Sequence, residues 1–514
     1  MKLQKLIHTL IPIVCFGCLE TAQAVVPAPD GCYPGFTTAE GCKALQSLST
    51  GAGNTGIGWY ALFLDTSGSY NTALGAGALV LNNGDSNTAT GAAALLLNTT
   101  GTENTAIGTD AMVYNDTGND NTAVGAFSLF SNTTGTANTA SGDRALFSNS
   151  GGNFNTASGF FALHNNTTGV GNTGSGASAL QHNTIGGLNT AVGGNALLSN
   201  TEGHDNTATG ANALSGNIDG VENTAAGTQA LNNNTTGDDN TATGFQALSN
   251  NTTGVQNAAT GALALSSNTG GVQNTANGYR ALFGNISGTL NCAFGFDALF
   301  VNTTGVANVA IGGQALSFAT TGSSNVALGF NAGLGVVTAD NVICVGNEVL
   351  GADVGDSCYI GNIWQQPGGS QAVYVNASGK LGAIVSSRRF KDEIKPMEQT
   401  SEVIYRLKPV SFRYKAEIEP TRPLGFGLIA EDVEKITSDL VARDREGKAY
   451  SVRYDQVNAM LLNEFLKEHR KNEKQEATIT RLQEQIEALT AGLQKVSAQL
   501  ELSNSTRQTA LNNQ

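Results

Sequence analysis

The sequence predicts a mainly β protein, in which a rod of stacked short β-coils precedes a small α+β domain and a C-terminal coiled-coil helix. Three observations support this fold class. A 17-residue pattern recurs over residues 37–346. Its consensus carries glycine at two positions and an N-T-T-G turn, both of which oppose a continuous helix. The last part of the chain instead has apolar residues at alternating steps of three and four, which is typical of a coiled coil.

The N-terminus has the features of a secretory signal peptide. Lys2 and Lys5 form a basic start, a mostly apolar run follows, and Ala22-Gln-Ala24 has the small residues of a cleavage site. We therefore expect residues 1–24 to be removed from a protein that is secreted or exposed on a surface. The apolar run is too short for a typical membrane span and contains Pro12.

Residues 25–36 form a short segment that we expect to cap the rod. Cys32 and Cys42 lie close together in sequence, and disulfides are common in secreted proteins. A local disulfide between these two cysteines is therefore a hypothesis that the sequence leaves open.

Charge is distributed very unevenly along the chain, whose net charge is −14. Between Lys43 and Lys380, the basic residues are Arg144 and Arg280 alone. A nucleic-acid-binding surface requires clustered lysine and arginine. The composition of the body therefore argues against nucleic acid as a partner.

The repeat has the consensus N-T-A-x-G-x-x-A-L-x-x-N-T-T-G-x-x, and its first asparagine recurs from Asn54 to Asn325. Helical repeats need more than about 30 residues and propeller blades about 40, so this period excludes both. We predict one β-solenoid or β-roll coil per repeat, with coils about 4.8 Å apart and a rod of about 80 Å.

Each repeat position has a predicted role. The first asparagine is expected to stack on its equivalent in the next coil, as amide ladders do in cross-β structures. The glycine at the fifth position permits a turn, and the alanines at the third and eighth positions fill a narrow interior. We expect the ninth-position leucines to face an axis shared by several chains. The alternative is a single solenoid with its leucines inside.

The rod is compatible with three functions. The first is a structural or adhesive fibre that contacts a host or environmental glycan or surface. The second is an ice- or crystal-binding protein, because threonine recurs at regular spacing. The third is a glycan-degrading fibre, which requires paired carboxylates, whereas Asp110, Asp143 and Asp297 occur singly. No calcium-binding repeat pattern is present, and we predict neither a metal nor a cofactor.

The repeat decays after residue 346, and residues 347–385 read as a transition or neck with a glycine-containing hairpin at 376–379. The composition then changes at S-S-R-R-F-K (386–391). A serine beside a lysine can act as nucleophile and general base, provided that burial keeps the lysine amine neutral. A solvated basic patch is the ordinary interpretation of such a short pattern.

Three further motifs follow in order. They are L-K-P-V-S-F-R-Y (407–414), G-F-G-L-I-A-E-D-V-E (425–434) and Y-D-Q-V-N-A-M-L-L (454–462). Together with residues 386–391 they resemble the peptidase S74 family, the intramolecular chaperones of phage tail spikes and endosialidases. That family begins with S-D-x-R-x-K. This chain has Ser386, Arg389 and Lys391 at the matching positions but Ser387 in place of the aspartate.

The resemblance implies an autoproteolytic assembly domain over residues 386–453. By analogy, Ser386 is the nucleophile, Lys391 the general base and Arg389 a supporting residue. Ser387 is the alternative nucleophile, because it stands where the family has aspartate. The resemblance also implies that the domain trimerises, assists folding of the fibre and then releases itself by a single cut. Independently, the 17-residue repeats resemble the head repeats of trimeric autotransporter adhesins, which form trimeric β-rolls.

The last segment carries a heptad pattern of apolar residues. Its members are Ile479, Leu482, Ile486, Leu489, Leu493, Val496 and Leu500. We predict a long helix or coiled coil over residues 454–502, about 70 Å in length, followed by a disordered tail over 503–514. Isoleucine and leucine at these positions favour two strands, whereas the family implies three.

Overall fold

The computed structural model describes residues 35–363, 373–375, 380–382, 385–444 and 446–511. The chain forms two compact units, Met1–Gln366 and Pro367–Gln514. The predicted signal peptide, Cys32 and most of the predicted cap segment lie outside the described residues. Signal cleavage and the pairing of Cys42 therefore stay predictions.

The first unit is a parallel β-solenoid of about 19 turns with one short strand per coil. Twenty strands form a single sheet, and each strand pairs in register with the equivalent strand of the next coil. Strands β1 to β20 are Thr38–Glu40, Thr55–Ile57, Thr72–Leu74, Thr88–Thr90, Thr105–Ile107, Thr122–Val124, Thr139–Ser141, Thr156–Ser158, Thr173–Ser175, Thr190–Val192, Thr207–Thr209, Thr224–Ala226, Thr241–Thr243, Ala258–Thr260, Thr275–Asn277, Cys292–Phe294, Val309–Ile311, Val326–Leu328, Ile343–Val345 and Cys358–Ile360. The predicted 17-residue solenoid is confirmed.

The solenoid continues beyond residue 346. Strand β20 (Cys358–Ile360) pairs in parallel with β19 (Ile343–Val345), although the sequence between them has lost the consensus. The sheet therefore includes part of the segment that the sequence assigns to the neck. At about 4.8 Å per coil, the solenoid is about 90 Å long.

The ninth-position leucines lie inside the solenoid, so their predicted placement on an axis shared by several chains is wrong, and the alternative of a solenoid with its leucines inside is confirmed. Leu146, Leu163 and Leu197 are fully buried within one chain. Gly174 stands where other coils have alanine, and a Cβ placed there would lie 3.4 Å from the Leu163 Cγ atom. The leucine of one coil therefore packs against the third position of the next.

Backbone conformation explains why these leucines point inward. Leu146 has φ 52° and Leu197 φ 51°, in the left-handed region that side chains rarely adopt. That conformation costs about 1–2 kcal/mol per residue. Full burial of a leucine contributes about 1.5–3 kcal/mol, which offsets the cost. The backbone also remains paired, because Leu146 N–H donates to the Ala162 carbonyl of the next coil at 3.0 Å.

Two ladders of buried asparagine run through the solenoid. In the predicted ladder, Asn121 Nδ2 donates to Asn104 Oδ1 at 3.0 Å and to the Gly135 carbonyl at 2.8 Å. A second ladder occupies the twelfth repeat position, where Asn132 Nδ2 donates to Asn115 Oδ1 at 2.6 Å and to Gly135 at 2.9 Å. Both ladders thus converge on one glycine carbonyl in each coil, which satisfies polar groups that are wholly buried.

Two glycines per coil are required for different reasons. Gly125 has φ 133°, and a Cβ there would lie 2.5 Å from the Gly142 carbonyl oxygen of the next coil. Gly135 has an ordinary φ, but its Cβ would lie 2.3 Å from Asn132 Oδ1. The first glycine allows the turn and the close approach of coils, and the second makes room for the asparagine ladders.

The second unit is a small β/α region that ends in a long helix. Its strands are β21 (Tyr374–Val375), β22 (Leu381–Gly382), β23 (Val410–Phe412), β24 (Gly425–Gly427), β25 (Val441–Arg443) and β26 (Ala449–Val452), which pair as three antiparallel hairpins. Its helices are the 3₁₀ helices Arg388–Phe390, Glu398–Arg406 and Ser438–Leu440, together with α1 (Ala430–Glu434) and α2 (Tyr454–Leu511).

Helix α2 (Tyr454–Leu511) is longer than the sequence predicts. It continues through most of the segment 503–514 that we expected to be disordered, because no proline or glycine follows Leu502 to end it. Within the described residues, no helix combines the length and the hydropathy needed to cross a bilayer.

Asp65 is an exception in the second ladder, because it stands where later coils have asparagine, such as Asn82 and Asn98. It is fully buried, and its Oδ2 atom has no hydrogen-bond partner. Its Oδ1 atom accepts from Gly68 N–H at 2.7 Å. Burial raises the pKa of Asp65 from 3.8 to about 6. The folded state therefore favours the protonated acid, a stabilising effect that is present below about pH 4 and lost as the pH rises through about 6.

We predict that Asp65→Asn stabilises the solenoid at pH 8 by about 1–3 kcal/mol, because it removes a buried charge. The gain shrinks towards pH 4, where Asp65 is protonated. Thermal unfolding followed by circular dichroism at both pH values measures this. The control is Asp120→Asn, which removes the same charge from an exposed position. An equal effect of both variants, or a gain independent of pH, contradicts the assignment.

Candidate functional site

The segment with the Ser–Lys pattern forms one tight turn. Ser387 precedes the 3₁₀ helix Arg388–Phe390 with an extended backbone. Phe390 N–H donates to the Ser387 carbonyl at 3.0 Å, and Lys391 N–H donates to Arg388 at 3.1 Å. The turn therefore fixes the backbone between Ser387 and Lys391. Its hydrogen bonds do not determine the side-chain conformations of these residues.

The predicted site residues are all exposed in the single chain. Ser386, Ser387, Arg389 and Lys391 have exposed side chains. Among the described residues, no side-chain hydrogen bond joins either serine to Lys391. The Arg389 guanidinium instead lies over the Phe390 ring, 4.6 Å from its centroid. The turn brings the four residues into one short segment but does not assemble them into a closed site.

A small apolar core holds the rest of this unit together. Val433, Leu440, Val441, Val452 and Val457 are buried against one another. The core thus joins α1 (Ala430–Glu434), the hairpin β25–β26 and the start of α2. Five buried residues bury little area for a unit of this size, which agrees with the many large apolar side chains left exposed.

The glycines of the G-F-G motif are required by close contacts. A Cβ on Gly425 would lie 3.0 Å from the Phe412 ring, and a Cβ on Gly427 would lie 2.7 Å from the Tyr454 hydroxyl. Leu428 N–H donates to that hydroxyl at 2.9 Å. Three of the sequence motifs, 407–414, 425–434 and 454–462, therefore meet at one place in the fold.

A polar cluster that the sequence analysis missed ties the 3₁₀ helix Glu398–Arg406 to α2. Glu464 is nearly fully buried there. Its carboxylate accepts hydrogen bonds from Ser401 Oγ, from Tyr405 Oη at 2.9 Å and from Lys467 Nζ at 2.7 Å. Asn463 Nδ2 also donates to Ser401 Oγ at 2.7 Å. The spacing of Glu464 and Lys467 suggests a helix-surface pair, and no local signal links them to Ser401.

These contacts shift two pKa values in opposite directions. The hydrogen bond from Lys467, followed by that from Ser401, lowers the pKa of Glu464. The hydrogen bond to Glu464 raises the pKa of Lys467. The Glu464 contribution to stability is therefore lost as the pH falls below the usual glutamate range, about 4.3, and the Lys467 contribution is lost at strongly alkaline pH.

Helix α2 exposes its entire heptad stripe. All seven apolar residues from Ile479 to Leu500 have between 47 and 70% of their surface exposed in the single chain. Exposed apolar stripes of this length mark protein–protein contacts. Nothing within the described part of the chain covers this stripe.

One known protein family matches part of the C-terminal unit. A family model aligns with the chain from Ser386 into strand β25. Residues 386–442 match the Peptidase S74 family, the chaperone of endosialidase. This confirms the resemblance that the motifs predict, and we call these residues the chaperone segment. No significant match to the chain was found among curated proteins or among solved structures.

The chaperone segment begins at Ser386 and includes the turn, the motif 407–414 and the motif 425–434. It ends before α2. The glycines that contact Phe412 and Tyr454 and the core residues Val433 and Leu440 therefore belong to the matched segment. The chain thus combines a β-solenoid with a C-terminal segment similar to a chaperone of endosialidase.

Asp110 and Asp297 do not form the carboxylate pair of a glycosidase with each other. Asp297 is held by Arg280 through two hydrogen bonds, at 2.8 and 2.6 Å, and Asp143 contacts Arg144 at 3.2 Å. Asp110 and Asp297 occupy the same repeat position many coils apart, far beyond the roughly 5–10 Å that glycosidases use. No cluster of metal-ligating side chains occurs in the described residues.

We predict that Glu464→Gln lowers the melting temperature of the C-terminal unit by several degrees, because the neutral amide loses the charge-assisted bond from Lys467. The control is Glu468→Gln, which disrupts an exposed pair with Lys471 one turn later on the same helix. The difference between wild type and Glu464→Gln should narrow as the pH falls from 7 to 3. Equal melting temperatures for the two variants would show that the buried cluster does not stabilise the unit.

Proposed function

We propose that the chain is an extracellular or surface fibre that is assembled as a homotrimer by its C-terminal unit and then separated from it by autoproteolysis. The solenoid is the fibre body, and the chaperone segment with helix α2 is the assembly module. The observation that carries this proposal is the family match over 386–442, in a chain whose preceding residues form a long repetitive β-structure.

Exposed apolar surface supports self-association of the C-terminal unit. The heptad stripe of α2 and side chains such as Tyr405, Phe426 and Phe465 are exposed in the single chain. Burial of such groups is favourable by about 1.5–3 kcal/mol each. Because a heptad stripe is covered most simply by the same stripe of another copy, the partner we propose is the chain itself. The family match favours three copies.

The chemistry proposed for the cut uses Ser386 and Lys391. The Lys391 amine accepts the proton of the Ser386 hydroxyl, and the serine oxygen forms a bond to the carbonyl carbon of a neighbouring peptide bond. The carbon–nitrogen bond breaks, and the leaving amine takes the proton from Lys391. Water then hydrolyses the ester. Arg389 supports the turn that carries both groups.

Exposure of the Ser–Lys segment suggests that cutting depends on assembly. A lysine acts as a base only when its amine is neutral, and burial favours that form. Lys391 is exposed in the single chain. We propose that neighbouring copies in the trimer cover it, so that the cut follows assembly. A stacked β-rod has many contacts distant in sequence and folds slowly, so removing the assembly module afterwards gives kinetic stability.

We expect Ser386→Ala and Lys391→Arg to leave the chain uncut, whereas the wild type yields a body ending near residue 386 and a C-terminal fragment. Lys391→Arg is informative because arginine keeps the positive charge but cannot act as a base. Ser387→Ala is the matched control. Intact mass spectrometry identifies the fragments, and light scattering gives the number of copies.

Three results would overturn parts of this proposal. Cutting in Ser386→Ala but not in Ser387→Ala assigns the nucleophile to Ser387. An uncut wild-type trimer rejects autoproteolysis but not assembly. A wild type that is a single uncut chain at micromolar concentration rejects the proposal as a whole.

A second candidate function rests on the middle coils. There, strands β7, β8, β11 and β13 carry exposed hydroxyls at both outward positions, for example Thr207 and Thr209 in β11. No side-chain hydrogen bond of these two hydroxyls occurs within the described residues, whereas the turn residue Thr133 donates Oγ1 to the Ser150 carbonyl at 2.8 Å. A regular array of free hydroxyls and methyls is the surface that ice or crystal binding requires.

A measurement of thermal hysteresis tests whether the middle coils bind ice. If the array binds ice, wild type depresses the freezing point below the melting point, and Thr209→Lys combined with Thr243→Lys abolishes the effect. The control is Thr134→Lys combined with Thr168→Lys, which places the same charges on exposed turns of the same solenoid. The absence of hysteresis in the wild type rejects ice binding.

A further inference from the structure

The outward side chains of the sheet change character abruptly at strand β16 (Cys292–Phe294). In every strand from β1 to β15, at least one of the two outward residues is threonine. The last five strands read C-A-F, V-A-I, V-A-L, I-C-V and C-Y-I, so both outward positions are apolar in each of them. We call the outward side chains of β16–β20 the apolar face.

The solenoid itself does not need this apolar face. Strands pair in register throughout, so Ile311 and Thr243 occupy equivalent positions on equivalent backbones. The inward residue remains alanine in β16, β17 and β18, as in earlier coils, and the inner core is complete without the outward residues. Threonine at the same position in other coils therefore shows that folding of a coil does not explain the apolar residues.

The apolar face is large enough to serve as an interface. Five strands at about 4.8 Å spacing extend about 20 Å along the rod, and the face is continuous. Phe294, Ile311 and Leu328 are 38, 42 and 48% exposed. Contiguous exposed apolar surface of this kind marks a contact site. No lysine or arginine lies between Arg280 and Lys380, so the face offers nothing that would attract an anionic surface or a nucleic acid.

We propose that the apolar face is where copies of this chain meet within the fibre body. This inference rests on the proposed trimer and specifies the part of the solenoid that holds it together. The face is in the last coils before the chaperone segment, so copies joined by their C-terminal units bring these coils together first. A second copy of the same face supplies an apolar surface of the same length.

The position of the apolar face also determines the register in which neighbouring copies pair. Nearly identical coils allow neighbouring copies to pair in many registers that differ by one coil, about 4.8 Å. A face that occurs at one end only has its full contact in a single register. The apolar face therefore aligns the copies as well as joining them.

The test replaces Phe294, Ile311 and Leu328 together with threonine in the full chain. Threonine occupies the same repeat position at 90, 209 and 243, so the variant is expected to fold. The control replaces Ile57, Leu74 and Ile107 with threonine. These residues have the same strand position and similar exposure, 37, 47 and 42%, but lie in the first coils. Light scattering over a dilution series measures the concentration at which half of the assembled fibre bodies have dissociated into single chains. The same measurement applies to bodies that still carry the C-terminal unit and to bodies from which it has been cut.

We expect the apolar-face variant to raise that concentration at least about tenfold, and the control to leave it within about twofold of wild type. Circular dichroism checks that the variant retains its solenoid. Equal dissociation of variant and control overturns the apolar face as an interface and leaves the proposed trimer standing. A wild type that is a single chain throughout the series overturns the proposed trimer itself.

Discussion

The structure of the solenoid depends on one constraint: every buried polar group of a coil must be paired by the next coil. The interior carries two asparagines per coil, and their amides bond to the asparagines of the neighbouring coil and to one glycine carbonyl. An unpaired buried amide costs about 1–3 kcal/mol, so a coil is stable only where its neighbour supplies the partner. Asn302 shows the consequence, because Ala319 follows it in its ladder and the Asn302 Oδ1 atom is left without a partner. The nearly constant period, 17 residues with one 16-residue step between Asn71 and Asn87, and the in-register strands follow from this requirement.

Because the leucines are inside, the solenoid core does not require a second chain. The surfaces that a second chain would cover lie at the C-terminal end of each unit instead. They are the apolar face of β16–β20 in the first unit and the heptad stripe of α2 in the second. If the proposed cut takes place, the body would therefore keep its own proposed contact surface. The middle coils, with hydroxyls outward, remain available for a ligand.

The C-terminal unit has the properties of a module that is incomplete alone. Its apolar core is small, and its internal order depends on close glycine contacts and on the buried Glu464 cluster. Its Ser–Lys segment is exposed, so these residues do not form a closed site in the single chain. Burial by neighbouring copies would complete the apolar surface and the Ser–Lys site together, which is the physical reason to expect assembly before cutting.

The sequence alone determined the solenoid, its period, the first asparagine ladder and the turn glycine, because these features repeat with constant spacing and each has a local cause. It also identified the chaperone segment, because three of the four ordered motifs lie within it. Only the tertiary structure decided the direction of the leucines, since that depends on a left-handed backbone at Leu146 and its equivalents that no propensity predicts. The second ladder was hidden because asparagine in N-T-T-G also suits a turn. The cluster around Glu464 joins residues 59 and 63 positions apart, and such contacts are fixed by packing rather than by local pattern.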